Sequence, residues 1–91
     1  MINMPSIREI KDEINAVAHE LIDECYMLRH FHPSKESEIN QIISQVINMQ
    51  KDLIYRSNNP DEDSDQKALK AYYRKIRDDI EKMTQLTAKV G

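Results

Sequence analysis

Apolar residues recur at steps of three and four in three separate stretches of this chain, and that period belongs to the helix. The first row is Ile7, Ile10, Ile14, Val17, Leu21 and Leu28. The second is Ile39, Ile42, Val46, Met49 and Leu53, and the third is Tyr73, Ile76, Ile80, Met83, Thr87 and Val90. Residues so spaced stack on one helical face, giving each stretch an apolar stripe and a polar back. No stripe is stable in water by itself, but three of comparable length can cover one another. The expected fold is all-α: an up-down-up antiparallel three-helix bundle with helices over about 6–30, 35–57 and 64–89, all of residues 1–91 forming one domain.

The residues between the stripes suggest where each helix starts and stops. Ser6 and Glu9 have the capping-box spacing, and Asp12 and Glu13 place negative charge near the positive end of the helix dipole. Pro33 cannot continue the first helix and pushes His32 toward extended backbone, so that helix should close near His30. Ser34 or Ser37 offers a cap for the second helix, with Glu36 and Glu38 in its first turn. Ser57-Asn58-Asn59-Pro60 reads as its stop, Asp61 to Asp65 as a solvated acidic connection, and Asp63 with Gln66 as the capping box of the third helix.

The second helix carries more apolar surface than one seam requires. Adding Ile43, Ile47 and Ile54 to its row widens the arc to roughly 160° at about 100° per residue, enough to touch two neighbours. Gln50 falls near the middle of that arc, where an amide must find a hydrogen-bond partner and can fix register. Met27 and Tyr55 lie outside the rows and near opposite ends of the bundle, so they do not form one patch.

Composition agrees with helices. Charged residues make up 32% of the chain, aromatics 5%, and there is one Gly and no Trp, whereas sheets draw on β-branched and aromatic residues and on turn formers. A domain of 91 residues has a thin core, burying only around 60 to 65% of the surface its unfolded chain exposes. The net charge of −3 is unevenly spread: residues 1–32 hold three cations against six carboxylates, residues 33–65 three against seven, and residues 66–91 seven against three. The expectation is a basic third helix paired electrostatically with two acidic neighbours. Residues 1–9 lack a basic segment followed by an apolar run, no apolar stretch approaches the roughly 18 residues that cross a bilayer, and the single cysteine, Cys25, has no disulfide partner. A cytoplasmic location without membrane association is expected.

Few residues suggest chemistry. His19 and Asp23 are four apart on one helix and His30 and His32 follow, all able to ligate zinc or iron. Ala16 stands where a Glu-x-x-His motif would need its glutamate, and no second histidine completes a zinc-protease pattern, so no metal or cofactor is expected. Cys25 lies on the first stripe, where a buried thiol acts as a small apolar group with a raised pKa. The inward rows hold no cation, and no carboxylate pair has a cleft in which to separate its pKa values. No catalytic residues are expected.

These features describe a small non-enzymatic interaction or regulatory module, with a protein partner expected and a homodimer as a candidate working state. The alternative is a nucleic-acid-associated accessory protein that uses Lys70, Arg74 and Arg77 on the outer face of the third helix. Against it stand the inward placement of Tyr72 and Tyr73, which removes them as stacking platforms, and the interruption of the basic surface by Asp78 and Asp79.

Overall fold

The computed structural model describes residues 7–59 and 66–89. Three helices account for most of them: α1 (Ile7–Phe31), α2 (Glu36–Asn58) and α3 (Gln66–Thr84), with short 3₁₀ turns at Pro33–Lys35 and Thr87–Lys89. No strand occurs among the described residues.

The side-chain bonds between helices give the topology. As the position on α1 rises from Asn15 to Arg29, the partner on α2 falls from Gln50 to Asn40, so these two helices run antiparallel. From Glu13 to Glu24 on α1 the partners rise from Arg77 to Thr87, so the third segment runs parallel to α1. The bundle is therefore up-down-up. The α1–α2 hairpin is its most extensive contact, and α3 meets each of the two along a narrower seam.

The three stripes meet in one core. Ile10, Ile14, Ala18, Leu21 and Cys25 of α1 pack with Ile39, Ile42, Val46 and Leu53 of α2 and with Tyr73, Ile76, Ile80 and Met83 of α3. Each of the isoleucine, leucine, valine and methionine side chains in this set is worth about 1.5 to 3 kcal/mol when fully removed from water, and that burial holds the bundle closed.

The helix ends depart from the expected capping in instructive ways. Between α1 and α2 the chain turns through Pro33–Lys35, with His32 at φ −131° and ψ 67°, outside the helical region that a following proline disfavours but short of fully extended backbone. Lys35 NH donates to the His32 carbonyl at 2.9 Å. Neither Ser34 nor Ser37 caps α2, whose first residue is Glu36 and whose preceding Lys35 makes no side-chain cap. The 3₁₀ turn carries the chain into the helix instead. At the other end Asn59 donates through Nδ2 to the Tyr55 carbonyl at 2.8 Å, and the Ser57 hydroxyl donates to the Ile54 carbonyl at 2.9 Å. The boxes at Ser6 and Asp63 fall outside the described residues.

The third helix is shorter than its stripe implies. It stops at Thr84 and tightens, with Gln85 and Leu86 donating to the carbonyls of Lys82 and Met83. Thr84 and Thr87 return their hydroxyls to the carbonyls three residues back, those of Glu81 and Thr84. Such local bonds compete with the helical ladder, and the tighter turn keeps Thr87 buried with its hydroxyl 3.4 Å from Glu24 Oε2. Val90 lies outside the described residues. Met27 and Phe31, farther along α1 than the level of Thr87, are 60% and 68% exposed.

Candidate interaction surface

The bonds that tie the hairpin divide it into two sides. One side faces α3. There Arg56 of α2 reaches Asp79 of α3 with Nη2 at 2.7 Å from Oδ2, and Arg56 Nε lies 3.3 Å from Asp52 Oδ2, off the line of a hydrogen bond. Lys75 and Lys82 flank Asp79 at 3.5 and 3.8 Å. The hydrogen bond from Arg56 holds the Asp79 carboxyl below its ordinary range, outweighing the opposing effect of burial. Tyr72 completes the cluster by donating its hydroxyl to the Arg56 carbonyl at 2.6 Å, and burial pushes its pKa up.

At the α2–α3 seam this arrangement reverses the expected charge pairing. The shortest interhelical ion pair sets a cation of α2 against a carboxylate of α3. The basic helix meets an acidic neighbour where Arg77 approaches Glu13 at 3.8 Å, both side chains about half exposed, a geometry worth only about 0 to 1 kcal/mol. Summing charge over thirds of the chain conceals that Asp79, the carboxylate nearest the seam, belongs to the basic third.

The other side of the hairpin, opposite α3, has no helix over it among the described residues. The Gln50 amide donates to Asn15 Oδ1 at 2.9 Å, as its position in the apolar arc requires. Farther along, Arg29 donates to Asn40 at 2.7 Å and lies 5.1 Å from the centre of the Tyr26 ring. At about 100° per residue, Ile22 projects on the same flank of α1 as Asn15 and Arg29, and Ile43, Ile47 and Ile54 on the same flank of α2 as Gln50 and Asn40. All four isoleucines are half-buried. Tyr26 and Tyr55, 51% and 67% exposed, stand at the edges of this surface. Near its foot Gln50, Lys51, Ile54, Tyr55, Asn58 and Asn59 line a depression of about 430 Å³.

The cations of this open side are placed systematically. Arg8 and Lys11 project from the same flank of α1 as Asn15, and Lys51 from the flank of α2 beside Ile47 and Ile54. None of the three forms an ion pair among the described residues. Asp12 and Asp23 point farther round α1, away from the groove. Among the described residues Glu36 is the carboxylate on this side, at the top of α2.

The remaining candidates are dispersed. Lys70 and Arg74 are exposed on the outer surface of α3 with no ion pair among the described residues, while Arg77 turns toward Glu13. Tyr73 is 6% exposed and packs edge-on against Tyr72 at 5.7 Å, so both rings point inward as their stripe implies. Cys25 is fully buried, and burial, reinforced by Glu24, raises its thiol pKa. His19, His30 and His32 are exposed, and among the described residues no three of His, Cys, Asp and Glu converge on a point that could hold a metal. No helix among the described residues is long and apolar enough to cross a membrane.

Comparison with protein-family models, with curated proteins and with solved structures finds no match to this chain. The cationic rim formed by Arg8, Lys11 and Lys51 is what reading the sequence by thirds overlooked. Placing each cation by helical angle beside Ile22, Ile43, Ile47 and Ile54 would have located it.

Proposed function

We propose that this chain is a non-enzymatic interaction module of the cytoplasm that docks a protein partner on the open side of the α1–α2 hairpin. The observation that carries the reading is the unequal cover of α2. Ile39, Ile42, Val46 and Leu53 are buried under α1 and α3, while Ile43, Ile47 and Ile54, on the same helix, remain half-exposed. Apolar side chains gathered in one interhelical groove and rimmed by polar residues favour a partner over isolated surface exposure. The groups that cluster most closely, Arg56, Asp52, Asp79 and Lys75, neutralise one another between α2 and α3. A buried, free Cys25 suits a reducing compartment.

Self-association through the same groove is the less favourable occupancy. A two-fold pairing would bring two copies of Arg8, Lys11, Arg29 and Lys51 together, opposed by Glu36. A second reading, nucleic-acid binding by α3, is favoured by the exposure of Lys70 and Arg74 without ion pairs among the described residues.

One experiment separates the readings. Tagged wild type, Ile47→Glu with Ile54→Glu, and Lys70→Glu with Arg74→Glu and Arg77→Glu are used to capture macromolecules from native extract, with and without nuclease. Loss of a stoichiometric protein in the isoleucine variant alone is expected. Loss in the α3 variant, with nuclease sensitivity and steep weakening by salt, would establish the nucleic-acid reading instead.

A further inference from the structure

Resting on the reading above, we propose that the partner element is an acidic amphipathic helix, laid along the groove between α1 and α2 as a fourth rod of the bundle. Shape, polarity and charge support this occupant together. The groove lies between two antiparallel helices, and a ridge of side chains at steps of three and four fits such a groove. Its apolar floor follows that spacing, with Ile43, Ile47 and Ile54 along α2 and Ile22 facing them from α1.

The floor is not uniformly apolar. The Asn15–Gln50 hydrogen bond lies part-way along it, only part-buried. A peptide helix can offer a polar side chain to such an amide pair, whereas acyl chains cannot, and this argues against a lipid surface. The groove is also too aliphatic for bases, and its aromatic rings stand at the edges.

Charge sets the sign of the partner's flanks. The chain has a net charge of −3, yet the rim of this groove carries Arg8, Lys11 and Lys51 without ion pairs among the described residues. Arg29 adds a fourth cation, held toward the groove by Asn40 and Tyr26. A helix with carboxylates on both sides of its apolar stripe would meet cations from α1 on one side and from α2 on the other. A helix flanked by lysines would meet like charge on both.

The test uses the full chain and two synthetic helical peptides of about 18 residues, some 27 Å long at the standard rise. They share one row of leucines at steps of three and four, and differ in flanks of glutamate or lysine. Calorimetry at low salt measures affinity, and amide and methyl NMR shifts locate the site. The glutamate peptide is expected to bind in the micromolar range, at least about tenfold tighter than the lysine peptide, with shifts centred on Ile22, Ile43, Ile47 and Ile54. Added salt and the variant Lys11→Glu with Lys51→Glu should each weaken it about tenfold, with the helical circular dichroism of the variant unchanged.

Equal binding of both peptides would overturn the assignment, as would preferential binding to phosphatidylserine vesicles or a dimer dissolved by Ile47→Glu. If the glutamate peptide fails to bind while the isoleucine variant still loses its captured protein, the module reading stands and the acidic helix is wrong. If the isoleucine variant changes neither result, both are wrong.

Discussion

The two sides of the α1–α2 hairpin are made from similar aliphatic residues, and they differ in what surrounds them. On the side under α3, Leu53, Ile76, Ile80 and Met83 are almost completely removed from solvent, and the charges at the seam are satisfied within the chain. On the opposite side Ile22, Ile43, Ile47 and Ile54 are half-buried, and the cations beside them have no ion pair among the described residues. A closed seam neutralises its own charges; an open one leaves them for something else. The contrast separates a seam covered within the chain from a surface whose apolar groups, Ile22, Ile43 and Ile54 among them, pack against the core but stay partly exposed.

That contrast is most easily broken in the core. Ile76, fully buried where the three helices meet, should cost about 2 to 5 kcal/mol when changed to Ala, measured by urea unfolding. A loss below about 1 kcal/mol would mean that the α3 seam is no better packed than the open side.

The ion-paired cluster comes next. Asp79→Asn removes the charge that Arg56 grips and should cost about 1 to 2 kcal/mol at neutral pH, since the carboxylate is only 16% exposed. The sign of its pH dependence follows from the lowered pKa of Asp79. The ionised form is favoured in the folded protein, so its contribution is present above the ordinary value of 3.8 and is lost as pH falls through the lower folded value. Wild type and variant should therefore converge in stability on acidification below that range. A constant gap throughout an acid titration would show that Asp79 acts by packing rather than by charge.

The smallest expected change is on the open side. Ile47→Ala should alter stability by less than about 0.5 kcal/mol, because Ile47 is half-exposed and packs outside the buried cluster. A loss comparable to that of Ile76→Ala would erase the distinction between the two sides.

Much of this architecture is legible in the sequence, for definite reasons. The rows through Ile14, Val46 and Ile76 each repeat for several turns, long enough for the helical period to be unmistakable, and Pro33 marks the hairpin turn sharply. Gln50 could be singled out because an amide in an apolar arc needs a partner, though the identity of Asn15 depended on how the helices align. The early end of α3 was hidden because Thr87 fits the inward row by spacing while its hydroxyl favours a local bond. The open side was hidden for a different reason. An antiparallel hairpin can receive a third helix on either side, periodicity carries no information about which, and both flanks of α2 offer apolar residues. Only that choice decides whether Ile47 or Met49 faces α3, and with it which cations border the groove on the other side.

The hydroxyl of Tyr72 has a consequence for how the molecule comes apart. It accepts no substitute from within α2 for its role: it supplies, from another helix, a donor for the carbonyl of Arg56 in that helix's final turn. Fraying the end of α2 thus releases an anchor of α3, and lifting α3 exposes the end of α2. The third rod is thus tied to the closing turn of its neighbour, and its departure strips that turn of a donor.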